Sequence, residues 1–210
     1  MFYAKESSYL SYPAVAACIV LIFAIVSTPV AAQQRKLISG SLDGLKAQKS
    51  YDIQFTYDSL HVGDYVAEDV YLSQKRKDWE LKEPGKGIAF VDQWFADRKK
   101  RYQPTFIKSF ESYSRRKLND KNAKYTLVLK TKYTEGGWSA GVVSHSANIG
   151  GELWIVESAD QNKVIAKISF FGLAGKPSSS GRDFDMTWRI QSAYDFAGKV
   201  LGDFLKKKVR

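Results

Sequence analysis

Residues 149–171 read IGGELWIVESADQNKVIAKISFF, and this stretch decides the fold. Ile149 to Val156 and Val164 to Phe171 are rich in the β-branched and aromatic side chains that fit a pleated, half-buried surface. Between them Ser158-Ala159-Asp160-Gln161-Asn162 is a short run of turn formers, so the two strands return on each other as an antiparallel hairpin. Upstream, Tyr125, Leu127 and Leu129 alternate with Thr126, Val128 and Lys130, the period of a strand with one buried face. The three strands therefore predict an antiparallel meander. The connection between the first two, Thr134 to Ala147, is longer and carries Gly136-Gly137-Trp138.

After Phe171 a loop, Gly172 to Gly181, leads into the most regular segment of the chain. Phe184, Trp188, Ile190, Ala193, Tyr194, Ala197, Leu201, Phe204 and Leu205 recur at helical spacing. Asp183 and Asp185 sit at the positive end of that helix, and Lys206, Lys207 and Lys208 at the negative end. On the other side of the meander, residues 61–122 read as a helical insertion. Asp64 is expected to cap a first helix carrying Tyr65, Val66, Val70 and Leu72, which ends by Glu83-Pro84-Gly85. A second helix from Ile88 places Ile88, Val91 and Phe95 on one stripe beside Phe90 and Trp94, and stops before Pro104. A third restarts at Pro104 with Phe106, Phe110 and Tyr113, and breaks at Asn119-Asp120-Lys121-Asn122. Before the insertion, Tyr51, Ile53, Phe55 and Tyr57 alternate with polar residues over Tyr51–Asp58, a half-buried strand.

Strand, helices, three strands, helix is the order of an α+β single domain over residues 51–210. It predicts a mostly antiparallel sheet of about four strands packed by helices on one face, with a long amphipathic C-terminal helix. The first strand lies parallel to a neighbour through a right-handed helical crossover. Trp94, Trp154 and Trp188 fall inside periodic apolar patterns and read as core, which leaves Trp79 and Trp138 for contacts outside the domain.

Residues 33–50 form a polar leader, dotted by Gly40 and Gly44, that docks as a short strand or turn. Residues 1–32 read as a signal peptide: Ala14 to Val26 is an unbroken apolar run of 13 residues, and Val30 and Ala32 suit a cleavage site before Gln33. The alternatives are an uncleaved anchor from Pro13 to Val30 and lipidation at Cys18; the apolar run follows that cysteine where a lipobox requires it to precede. Cys18 is the one cysteine, so cleavage leaves a cysteine-free chain held by its core, in a bacterial periplasm or outside the cell.

The formal charge of +10 raises nucleic acid as a partner. It is spread along the chain, however, at +1 over residues 33–60, +4 over 61–122 and +5 over 123–210, and its local runs sit near predicted helix ends where cations complement the dipole. A diffuse charge on an exported chain argues against specific nucleic acid binding and for loose attraction to an anionic envelope component.

Catalytic patterns are thin. His61 and His145 are the only imidazoles; Ser144-His145-Ser146 are chain neighbours, which seldom align as nucleophile and base, and no Gly-x-Ser-x-Gly elbow exists. Asp58, His61, Asp64 and Glu68 gather acidic oxygens after the first strand, but their spacing matches no metal loop. Gly172 to Gly181 lies where phosphate loops lie, yet Pro177 stands where the hydroxyl residue belongs. What remains there is an anion site, with Ser178, Ser179, Ser180 and Arg182 at the start of the last helix. No cofactor and no metal are called for.

Two stretches carry a family resemblance. Residues 45–57, LKAQKSYDIQFTY, followed by Glu83-Pro84-Gly85-Lys86-Gly87 and Trp94, resemble small uncharacterised secreted proteins of gut Bacteroidetes. Gly137-Trp138, Arg189-Ile190, Ala193-Tyr194 and Gly198-Lys199 resemble the same group. The resemblance implies a bacterial envelope location and brings with it no established enzymatic activity. The expectation is thus an exported, non-enzymatic envelope protein that binds a ligand or partner or aids assembly, with possible membrane proximity; the alternative is a hydrolase acting on an envelope polymer. Its partner is an envelope protein or an anionic envelope component, met through Gly136, Gly137 and Trp138.

Overall fold

A computed structural model of the chain describes residues 35–64, 66–140, 143–175 and 185–209, all within one compact unit from Gln34 to Arg210. The expected signal peptide, residues 1–32, lies outside the described residues.

The central strand is β5 (Tyr125–Glu135). One of its edges pairs antiparallel with β8 (Asn148–Glu157), which pairs antiparallel with β9 (Val164–Ala174), so the meander is present. The other edge is shared. β2 (Asp52–Thr56) runs parallel to its first half, from Asp52 opposite Thr126 to Thr56 opposite Lys130, and β3 (His61–Val62) runs parallel to Tyr133 and Thr134. Among the described residues the sheet holds seven strands rather than about four. The additions are β1 (Arg35–Gly40), which pairs antiparallel with β9, β3, and β4 (Val66–Ala67), which pairs with β3. The domain therefore begins inside the polar leader: Leu37 packs on the core and Leu42 and Leu45 are buried.

Strand alternation gives the sheet two faces. The inner face carries the row Phe55, Leu129, Leu153, Ile168 and Leu37, aligned across five strands. Leu129, Leu153 and Ile168 are fully buried there, each contributing about 1.5–3 kcal/mol. The neighbouring row on the outer face is Gln54, Val128, Trp154, Lys167 and Ser39. This corrects the reading of Trp154 as core. Its indole stands outside, with the Lys130 and Lys167 ammonium groups 3.6 and 3.9 Å from the ring centre and its Nε1–H donating to Glu152. Trp94 is buried as expected and Trp188 is partly buried.

The helical region departs from expectation in three places. Asp64 caps no helix: Gly63 and Asp64 form the turn between β3 and β4, and α1 (Glu68–Glu80) starts after Ala67 with Glu68 and Asp69 in its first turn, where they complement the dipole. In α2 (Lys86–Asp97) the stripe is rotated, so Trp94 and Asp97 are buried while Ile88 and Phe95 are about half exposed. Glu68 helps to set that rotation, because it accepts from Trp94 Nε1 and from Arg98. Pro104 does not interrupt the helix. A π-helical turn (Arg98–Tyr102) joins α2 to α3 (Gln103–Ser114), and Gln103 N–H donates to the Arg98 carbonyl five residues back, so the wider turn admits a residue that has no N–H. Phe106 and Phe110 of α3 are fully buried, whereas Tyr113 is half exposed.

The last helix, α4 (Met186–Lys208), begins at Asp185, whose carboxylate accepts the Thr187 N–H. It buries Ile190, Ala193, Tyr194, Ala197, Leu201 and Leu205 against the inner face and against α3. Tyr194 stacks on Tyr102 with ring centres 5.2 Å apart, and its hydroxyl shares a hydrogen bond with Thr131 of β5.

Burial raises the phenols of Tyr57, Tyr102 and Tyr194 above their ordinary value of 10.0. Below pH 10 folded and unfolded chains hold these protons equally and stability from this source is constant. Above pH 10 the unfolded chain loses protons that the folded chain keeps, so stability falls as pH rises. The expected result is a urea midpoint that is level up to that pH and then declines, with tyrosinate absorbance rising together with loss of the helical circular dichroism signal. Gradual ionisation of all the tyrosines in a folded chain would contradict it.

Candidate functional site

The first turns of α4 and the end of β5 converge on the Gly136-Gly137 turn. Gly137 adopts a left-handed backbone (φ +60°), and a Cβ there would stand 2.2 Å from the His145 carbonyl oxygen, so this position requires glycine. Three hydrogen bonds from two side chains hold the turn. Glu135 accepts the Gly137 N–H at 3.1 Å. Arg189 on α4, buried, donates from Nε to the Gly136 carbonyl at 2.9 Å and from an Nη to the Gly137 carbonyl at 3.1 Å.

Beside the turn opens a cleft of about 540 Å³. α1 supplies one wall: Tyr71, Lys75 and Trp79 recur every four residues and so share a face. Phe90 of α2 adds a third ring, Gly136 and Gly137 form the floor, and Met186 and Thr187 close the end. The Tyr71 hydroxyl points to the Met186 sulfur at 3.8 Å, and burial with the nearby Glu135 charge raises its pKa. Lysines ring the aromatic wall: Lys82 and Lys86 lie 4.5 and 5.4 Å from the Trp79 ring centre, and Lys75 lies 5.7 Å from that of Tyr71. Glu135 and Asp185 also line the cleft, so it carries charges of both signs.

No protein-family model and no curated protein matches the chain. Among solved structures, the PelC dodecamer from Paraburkholderia phytofirmans is similar to it at 11% identity, over 77% of this chain and 95% of that chain, with a TM-score of 0.32.

The structure brings two of the three expected contact residues, Gly136 and Gly137, into the cleft. Trp138 stands apart from its lining. It opens β6 (Trp138–Ala140), which pairs with β7 (Val143–His145), and so lies at the base of this hairpin rather than at a loop tip. Its ring is half exposed and lies nearly parallel to that of His145, 6.4 Å away. His145 and Ser144 are exposed on this hairpin. Ser178, Ser179, Ser180 and Arg182 lie outside the described residues. The acidic group after β2 does not converge, because Glu68 turns to Trp94 and Arg98, and among the described residues no three His, Cys, Asp or Glu side chains come together. Trp79, read as available for outside contacts, lines the cleft. Its partners Tyr71 and Lys75 were not singled out, because a lysine in the middle of the stripe breaks the apolar pattern.

Proposed function

We propose that the protein is an exported, non-enzymatic domain of the bacterial envelope that holds a small amphipathic ligand or a partner segment in the cleft beside Gly136 and Gly137, with Trp138 as an adjoining contact. The observation that carries this reading is how the cleft's carboxylates are used. Glu135 holds the Gly137 amide and Asp185 holds the Thr187 amide, so both are tied to backbone that shapes the site. An acid or base must instead reach the proton it transfers. Rings on the walls with a few charged groups at the mouth are the usual composition of a recognition site, and the volume suits a molecule of several tens of atoms at most. The export reading of residues 1–32 and the resemblance to secreted proteins supply the location.

The test is titration of the purified protein with muropeptides and with oligosaccharides released from lipopolysaccharide, following tryptophan fluorescence. Trp79→Ala is expected to weaken the bound probe about 30-fold, the cost of losing a central aromatic contact. Equal affinity of the variant would remove the cleft from the reading. Turnover of either probe would replace it with hydrolysis of an envelope polymer.

A further inference from the structure

The outer face of the sheet lies opposite α3 and α4, and its side chains form a pattern that the cleft does not use. Lys36, Lys130, Lys132 and Lys167 stand on it, with Glu152 as the acid between them; Glu152 is bonded to Lys132 at 3.1 Å. Lys36 and Lys132 are exposed. Further along the same face Tyr133 and Phe171 meet over Gly150 with ring centres 5.8 Å apart, and Phe171 is 57% exposed. Cations and aromatic groups therefore share this face, with Lys130 and Lys167 on the Trp154 ring.

We infer that this face docks on an anionic phospholipid bilayer through Lys36, Lys130, Lys132 and Lys167, with the Phe171 ring entering the headgroup layer. Charge complementarity supports a polyanion of some kind. Two further features select a bilayer over an acidic glycan. A sugar ring recognised by an aromatic group needs an open ring face, and the Trp154 indole has the Lys130 and Lys167 ammonium groups within 4 Å of its ring centre. Phe171 projects an exposed apolar ring, beside Tyr133 and Gly150, on the same face that carries the lysines, and membrane interfaces favour that combination.

The inference rests on the envelope location and not on the cleft. Its test is co-sedimentation of the protein, in the form purified from its native host, with vesicles of phosphatidylcholine doped with phosphatidylglycerol. Vesicles of phosphatidylcholine alone and soluble dextran sulfate are the comparison arms. Anionic vesicles are expected to bind it in a salt-sensitive way, neutral vesicles much less, and Lys130→Gln with Lys167→Gln to weaken that binding about 30-fold, since each lysine near such a surface is worth roughly fivefold. Lys99→Gln with Lys108→Gln removes the same charge from the helical side and is expected to leave binding within twofold. Equal weakening by both pairs would mean that diffuse charge and not this face is responsible. No weakening by the first pair, or capture by dextran sulfate without vesicle binding, would overturn the proposal. Loss of vesicle binding with retained muropeptide or oligosaccharide binding would sink the docking face and leave the cleft standing.

Discussion

Gly198→Leu is expected to destabilise the protein by about 4 kcal/mol, lowering the thermal midpoint by roughly 8–16 °C for a chain of this size. The cause lies in the contact between α3 and α4. Gly198 and Gly202 are four residues apart on α4 and face α3 so closely that a Cβ on Gly198 would stand 2.6 Å from the Phe106 carbonyl oxygen and 2.9 Å from the Ser109 Cβ. A Cβ on Gly202 would stand 2.8 Å from the Phe110 carbonyl oxygen. Two of these three atoms are backbone, so the helices must separate, and Phe106, Phe110, Ala197 and Leu201 lose contact together. Alanine in a helix normally gains about 1 kcal/mol over glycine. Here the sign reverses, and even Gly198→Ala with Gly202→Ala is expected to lose stability. Gly44→Ala is the control, because nothing lies within 4 Å of its Cβ position, and its midpoint is expected to match the parent. Urea and thermal unfolding read all three variants. Parental stability in Gly198→Leu would mean that the two helices are not in close contact.

The second large effect is at Arg189, where Arg189→Met is expected to cost about 3 kcal/mol and to loosen the Gly136-Gly137 turn. Methionine replaces much of the aliphatic stem but leaves the Gly136 and Gly137 carbonyls without the donors they now have. Each bond from a charged donor is worth about 1.5–3 kcal/mol, partly offset by water entering the opened turn. Lysine does not restore the site, since one ammonium group cannot reproduce a planar fork aimed at two oxygens. Hydrogen exchange resolved at Gly137 separates this effect from general destabilisation. Its amide is expected to lose protection at denaturant concentrations where amides of β8 and β9 remain protected. Uniform loss across the sheet would show that Arg189 supports the fold as a whole and not the turn.

What could be read from residues alone follows the range of the forces involved. The meander and α4 were legible because period 2 and period 3.6 persist there over ten or more residues, as in Val164–Ala174 and Met186–Lys208. β3 and β4 have two residues each, too few for any period. β1 is an edge strand with exposed Lys36, Ile38 and Ser39, so its composition resembles a leader. Trp154 follows the strand period as faithfully as Leu153; only the packing of α4 on the other side decides which of the two is core. The α2 stripe was misplaced because its rotation depends on Glu68, which binds Trp94 from another element. The cleft was half visible. Gly136-Gly137 stood out in the sequence, whereas the face that completes the cleft joins Tyr71, Lys75 and Trp79, residues with no common chemistry until they line one space. The packing role of Gly198 and Gly202 was missed as well, since a search for large apolar residues does not register the absence of a side chain.

The strand β1 also bears on how copies of the protein meet one another. An open rim of a sheet offers unpaired amides and carbonyls to any passing strand, which is how many sheet proteins aggregate. Here the rim is poorly suited to that use: β1 is only six residues long, its register with β9 shifts between Leu37 and Ser39, and it carries Lys36. A shifted register twists the rim away from a straight partner, and a lysine of one copy would oppose that of another. Beyond β3, on the other side of β5, β4 is two residues long and gives a partner strand almost nothing to grip. Strand addition at β1 and at β4 is thereby disfavoured.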